Sequence, residues 1–183
     1  MEAVGQAGLA LVHLGSEHGV FPLSDAEACC ILAERYEMTP IARVQARSEA
    51  VIARDLDRSV EGIVVPHAGT ADDARRAVEA CGFAPPGRRS LGGGRPYAHD
   101  GGRDRPALLQ GDYPRVSVSP MIESSAGLQD TDAIAGTPGA GYPGFGMTGL
   151  APPLGDAGEP NHSEARAAAE AGKPVRENLM TFG

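Results

Sequence analysis

The sequence predicts an α/β fold with a parallel sheet, either a barrel or an open wound sheet, on three observations. Short apolar runs alternate with helical patterns along the chain, and a crossover helix is what returns a chain to begin a neighbouring parallel strand. The first of these runs and four later ones each finish on a polar or glycine-rich cluster: Glu17-His18, Arg43, His67, Glu123 and Gly146-Met147-Thr148-Gly149. In parallel α/β architectures the loops leaving the carboxyl ends of the strands converge on one rim, so residues distant in sequence share a pocket there. Four of the five clusters carry a group able to move protons, bind a carboxylate or hold a metal.

The first strand is expected at Leu9–Leu14. Ser24-Asp25-Ala26-Glu27 reads as a capping box, in which hydroxyl and carboxylate satisfy orphan backbone donors, and opens a helix to about Glu37. A second strand at Ile41–Val44 precedes a helix begun by Ser48. A third, Gly62–Pro66, precedes a helix opened by Thr70-Ala71-Asp72-Asp73 and closed by Gly82. Residues 83–114 interrupt the rhythm with Pro85-Pro86-Gly87, Gly92-Gly93-Gly94 and Gly101-Gly102, and such a long excursion reads as a loop with one short helix. Strands follow at Val116–Ile122, near Tyr142–Gly146 and near Val175–Phe182, with a helix over Ser163–Ala171 closed by Gly172 and Pro174. No internal repeat or domain boundary is visible, so the reading is one domain over 1–183 with an insertion at 83–114.

Composition removes several function classes. The 183 residues suffice for one substantial core. A net charge of −8 argues against nucleic acid and anionic membranes, because both are bound by clustered Lys and Arg. No run approaches the roughly 20 apolar residues that cross a bilayer, and Met1-Glu2 does not begin a basic and then apolar leader, so a cytoplasmic location is expected. The three cysteines form no CxxC pair and read as small buried hydrophobes in a reducing compartment. Lys173, the one lysine, lies in a helix-stop sequence, which disfavours imine chemistry. Two overlapping GxGxxG matches at 139–144 and 144–149 lack the strand-then-helix context of a dinucleotide site, since Pro143 and Pro152-Pro153 break it.

The stretches SEHG (16–19), PIARV (40–44), LDRSVEGIVVPHAGTADDARRAVEACGFAPPGRRS (56–90), PMIES (120–124), FGMTGLAPPLG (145–155) and GEPNHSEA (158–165) stand in order along almost the whole chain. With these residues the chain resembles the HpcH/HpaI aldolase family, metal-dependent class II pyruvate aldolases acting on 2-oxo-3-deoxy and 4-hydroxy-2-oxo acids. The resemblance implies a (β/α)8 TIM-barrel-like fold, incomplete at about six βα units because a full barrel takes roughly 250 residues. It implies a carbon–carbon lyase that cleaves or forms 2-oxo-4-hydroxy acids, with a divalent metal (Mg, Mn or Co) holding pyruvate as its enolate. By the same resemblance His18 matches the catalytic base, Arg43 the catalytic arginine that binds the pyruvate oxygen, and Glu123 a metal-ligand carboxylate. The backbone of Gly146, Met147 and Thr148 matches the turn that binds the pyruvate carboxylate.

The chemistry suits those residue types. A fixed guanidinium stabilises developing negative charge on a ketone oxygen, and an imidazole titrating near neutrality can take the proton of a C4 hydroxyl. Glu123 follows the alternating run Val116–Ile122, where a strand hands over to a loop and a carboxylate is poor core filler. The bland alternatives are a loop histidine, a surface arginine and a salt bridge from Glu123 to a rim arginine. His67 reads as local packing or a neutral hydrogen bonder, and Arg88 and Arg89 as solvated loop arginines. Three positions depart from the family pattern: Gly15 stands where the resemblance implies an aspartate paired with the histidine, Gly149 where it implies the second metal carboxylate, which weakens metal binding, and Gly141 where it implies a third aspartate. Asp156 and Glu159 are substitute carboxylates in the following loop. These glycines define the rival expectation, a catalytically impaired aldolase-fold scaffold subunit or 2-oxo acid binder. Missing barrel units leave open strand edges, from which a homo-oligomer is expected.

Overall fold

The computed structural model of the chain describes residues 1–17, 22–92, 94–100, 116–146 and 150, with side chains of 98–100 left aside. The elements run α1 (Glu2–Gln6), β1 (Leu11–Gly15), α2 (Leu23–Arg35), β2 (Thr39–Arg43), α3 (Glu49–Leu56), β3 (Gly62–Val65), α4 (Ala71–Cys81), β4 (Ser117–Ile122), α5 (Ser125–Gln129), α6 (Thr131–Ala135) and β5 (Gly144–Phe145). Strand order is β1-β2-β3-β4-β5. The β1/β2 and β4/β5 pairs are parallel, as alternation with helices requires. No described helix is long and apolar enough to cross a membrane. The described residues divide into two compact units, one drawn from 1–63 and 79–117, the other from 64–78, 118–146 and 150.

In the first unit, β1 and β2 pair in register from Leu11↔Thr39 to Gly15↔Arg43. Pro40 is tolerated inside β2 because its carbonyl accepts from Glu61, just ahead of β3, so the donor it lacks would fall before that strand begins. Gly62 opens β3 beside Ile41, whose Cγ1 would stand 2.8 Å from any added Cβ, so the Ile41 side chain fills the space that a side chain at 62 would need. On α2 the buried positions Ala26, Cys30 and Ala33 recur at helical spacing and turn one apolar stripe inward. Helix α3 starts where the sequence predicts, with Ser48 Oγ accepting from the Val51 amide at 3.4 Å.

The capping box expected at Ser24 does not form. Pro22 occupies the N-cap with extended backbone and α2 begins at Leu23, which places Ser24 inside the first turn, where its hydroxyl bonds Asp25. A proline just ahead of the helix, preset in φ, took the boundary instead.

Part of the 83–114 excursion is ordered by a buried arginine. Arg89, with its side chain 1% exposed, bonds Asp57 at 3.0 Å and lies 5.0 Å from the Phe83 ring centroid and 5.6 Å from that of Tyr97. Tyr97 in turn donates its hydroxyl to the same Asp57 oxygen at 3.2 Å. Arg89 is therefore a staple and not the solvated arginine expected, whereas its neighbour Arg88 is exposed and pairs with Glu49 and Glu79. The short helix expected in this stretch is the 3-10 turn Arg95–Asp100.

In the second unit, Thr70 caps α4: its Oγ1 accepts from the Asp73 amide at 3.2 Å, as the sequence predicts. Asp130 accepts the Ala71 amide at 2.9 Å, satisfying another orphan donor of the first turn. The core here joins Ala74, Ile122, Ile134, Phe145 and Leu150, all essentially without exposure. Between Val118 and Ile122 the chain advances four residues, yet their carbonyls accept from Gly141 and Gly146, five residues apart. The facing segment thus carries one extra residue, a bulge. Pro120 has no N–H to give on that side, and the Tyr142 carbonyl accepts Ser119 Oγ at 2.9 Å instead. Regular pairing resumes only at Met121↔Gly144 and Ile122↔Phe145, which is why β5 is two residues long.

The helices α1, α5 and α6, five residues each, carry too few turns to show periodicity and were not anticipated. The expected helix at 163–171 and strand near 175–182 lie outside the described residues.

Candidate functional site

Each described strand end delivers its polar cluster within two residues. In the first unit β1 ends at Gly15 and β2 at Arg43, and the Ser16 amide donates to the Arg43 carbonyl at 3.1 Å, extending the pairing by one step. That stitch brings Glu17 beside Arg43. Glu17 and the Arg43 guanidinium form an ion pair with side chains only 8% and 14% exposed. A substrate oxygen meeting Arg43 therefore meets a cation whose charge is already shared with a carboxylate. The sequence places Glu17 and His18 in one cluster; His18 lies outside the described residues, and among those described Glu17 pairs with Arg43.

In the second unit β3 ends at Val65 and β4 at Ile122, and the Ala68 amide donates to the Met121 carbonyl at 2.8 Å. The turn between Val65 and Ala68 sets His67 in a left-handed conformation, φ 54°. A non-glycine residue adopts this region rarely, histidine more readily than most. In that conformation the His67 amide donates to Glu123 Oε2 at 3.0 Å and His67 Nδ1 lies 3.1 Å from the same oxygen. The Glu123 side chain is 5% exposed, the His67 ring 66%. A buried carboxylate is costly without such partners, and this one is fixed by them.

The other carboxylate oxygen is accommodated by an absence. Gly146, the first residue after β5, stands where an added Cβ would overlap Glu123 Oε1 and come within 2.7 Å of its carboxyl carbon. Ser124, next in the chain, caps α5 by accepting the Gly127 amide at 3.2 Å, so Glu123 is held between a strand end and a helix cap. A carboxylate with an imidazole beside it is a donor set suited to a hard or borderline divalent cation.

A family model described as HpcH/HpaI aldolase/citrate lyase matches residues 1–175. The chain belongs to that family. Among relatives of this HpcH/HpaI chain, a 4-hydroxy-4-methyl-2-oxoglutarate aldolase of Hapsidospora irregularis is 34% identical over 169 residues, covering 90% of this chain and 62% of the relative. A hydroxypyruvate/pyruvate aldolase of Chromohalobacter salexigens is 27% identical over 168 residues, covering 91% of this chain and 65% of the relative. The chain thus spans somewhat under two thirds of the length of these proteins. The crystal structure of an HpcH/HpaI aldolase/citrate lyase family protein from Burkholderia cenocepacia J2315 superposes with a TM-score of 0.82 at 28% identity, covering 95% of this chain and 72% of that one. The fold is accordingly that of the TIM-barrel-like HpcH/HpaI proteins, of which the described residues supply five strands, in keeping with the incomplete barrel that the sequence predicts.

Of the residues expected to form the site, Arg43, Glu123 and Gly146 are described; His18, Met147 and Thr148 are outside the described residues, as are Gly149, Asp156 and Glu159. Arg43 stands in the first unit with Glu17, and Glu123 in the second with His67 and Gly146. The bland alternative for Glu123 is a salt bridge to a rim arginine; the structure instead sets the His67 imidazole and amide against it. For His67 the sequence suggests local packing or a neutral hydrogen bonder, and the second is nearer to what the contacts with Glu123 give. Its position directly after a strand was the available signal, but the register that carries it to Glu123 is not written in local sequence.

Proposed function

We propose that this HpcH/HpaI chain is a divalent-metal-dependent carbon–carbon lyase, an aldolase that cleaves or forms 2-oxo-4-hydroxy acids with pyruvate as one partner and an aldehyde as the other. The observation that carries the reading is the Glu123 carboxylate: buried, tethered by the His67 amide, and given room by a glycine at 146. Such a held carboxylate, at the end of a strand in a family of aldolases and citrate lyases, suits a cation ligand.

In this reading a Mg, Mn or Co ion, when bound, supplies Lewis-acid stabilisation of negative charge on the keto oxygen. Arg43 donates to that oxygen as charge develops, and its pairing with Glu17 orients the guanidinium beforehand. His18 takes the proton of the C4 hydroxyl; the C3–C4 bond then breaks, its electron pair passing into the pyruvate enolate while the aldehyde departs. The turn that begins at Gly146 receives the pyruvate carboxylate through the amides of Met147 and Thr148; the Gly146 amide, expected to share in this, is committed to the Ile122 carbonyl at 2.9 Å. The protein works as one domain in the cytoplasm, consistent with its free cysteines, and as a homo-oligomer that pairs open strand edges.

The test is incubation of pyruvate and a short aldehyde with the protein and Mn²⁺ or Co²⁺, following the aldol product. Metal-dependent turnover abolished by EDTA is expected; turnover that ignores EDTA, or none with any divalent ion, overturns the proposal. Sedimentation velocity tests the oligomer, and a stable folded monomer would contradict it.

A further inference from the structure

We propose that His67 is itself a metal ligand, so that the cation is held by a histidine–carboxylate pair, His67 Nδ1 and Glu123, and not by Glu123 alone. The inference rests on the metal dependence proposed above and adds to it a second protein ligand and a metal preference.

The geometry of the second unit carries it. Two donors on adjacent vertices of one octahedral ion, each at about 2.1 Å, stand about 3 Å apart. His67 Nδ1 and Glu123 Oε2 are 3.1 Å apart. The same distance suits a hydrogen bond, but Oε2 already accepts the His67 amide at 3.0 Å, which orients the carboxylate without help from the ring. The ring is therefore not required to hold Glu123 in place. The tautomer protonated on Nε2 makes Nδ1 a lone-pair donor next to a carboxylate.

Burial divides the labour between the two groups. Glu123 is sunk to 5% exposure while the His67 ring is 66% exposed, so a cation arriving from solvent meets the imidazole at the surface and the carboxylate behind it. The left-handed backbone at His67, φ 54°, is what lets one residue present both its amide and its ring nitrogen to one oxygen. Sparsely populated backbone at a ligand clamp is where such conformations tend to be retained. An imidazole nitrogen beside one carboxylate shifts preference from Mg²⁺ toward Mn²⁺ and Co²⁺, which accept nitrogen readily.

The test uses the full chain with Mn²⁺ alone. Pulsed electron paramagnetic resonance of the bound ion is expected to show imidazole ¹⁴N coupling, lost in His67→Gly, a substitution that tolerates the positive φ. Calorimetry is expected to show Mn²⁺ affinity falling about 10- to 100-fold in that variant and Mg²⁺ affinity changing much less. Glu123→Gln should weaken both ions, and thermal melting confirms that each variant is folded. Bound Mn²⁺ without ¹⁴N coupling, coupling that persists in His67→Gly, unchanged Mn²⁺ affinity in that variant, or no Mn²⁺ binding at all would overturn the pair. Aldolase turnover on a metal held without His67 would reject this inference alone; Mn²⁺ held by His67 in a protein lacking turnover would reject the aldolase reading alone.

Discussion

Gly146 and Glu123 exclude one another's bulk: a methyl group on the first would overlap Oε1 of the second. The carboxylate is boxed in, with the His67 amide on Oε2 and glycine backbone against Oε1. Gly146→Ala should therefore displace the carboxylate while leaving the core of Ile122, Ile134 and Phe145 intact. Mn²⁺ affinity measured by calorimetry is expected to drop by about tenfold or more, with a much smaller change in melting temperature. Unchanged affinity would mean that Glu123 is not a ligand.

Arg43 and Glu17 are both largely buried, so removing one partner leaves the other as a poorly solvated charge. Arg43→Met should destabilise by on the order of 3 kcal/mol, and adding Glu17→Gln should recover most of that loss. Urea denaturation checks both values. If Arg43 acts on substrate as proposed, aldol turnover stays lost in the recovered double variant, which separates its chemical role from its structural one.

Arg89→Lys should also destabilise, since an ammonium cannot stack as a guanidinium does on Phe83 and Tyr97 while bonding Asp57. A loss of about 1–3 kcal/mol is expected in urea denaturation, and more for Arg89→Ala, which leaves Asp57 and Tyr97 without their cation. Affinity for Mn²⁺ should not change.

Burial holds the Asp55 carboxyl above its ordinary pKa of 3.8, with Arg54 partly opposing the shift. Between 3.8 and the raised value the folded chain binds more protons than the unfolded one, so stability falls as pH rises through that window and stays lower above it. Glu61, raised by burial and by Glu34, acts in the same sense, while Asp72, lowered by its bond to Arg75, adds stability as pH rises only below its ordinary 3.8, outside that window. Asp55→Asn should flatten the fall. Urea midpoints for both proteins from pH 4 to 7 check this, and parallel curves would reject it.

Much of the architecture was legible because parallel strands bury both faces and read as apolar runs, and the polar clusters behind them fell at strand ends as anticipated. Caps at Ser48 and Thr70 were legible because a hydroxyl three residues ahead of an amide is a local relationship. The false cap at Ser24 shows the limit of that rule, since Pro22 set the boundary first. The pairings Glu17–Arg43 and His67–Glu123 depend on which strands neighbour which and on a single positive φ, neither of which a local pattern records. Arg89 was misread for a similar reason: in a glycine- and arginine-rich stretch nothing distinguishes it from Arg88 until Asp57, Phe83 and Tyr97 are brought around it.

Arg88 and Arg89 are adjacent yet have side chains 59% and 1% exposed. Trypsin engages a guanidinium in its specificity pocket, so scission after Arg89 requires the aromatic sandwich to open, while scission after Arg88 samples the surface. Two neighbouring peptide bonds thus form a natural gauge, and the ratio of their cleavage rates reports how often the 83–97 segment lifts away from its anchor without any label being introduced.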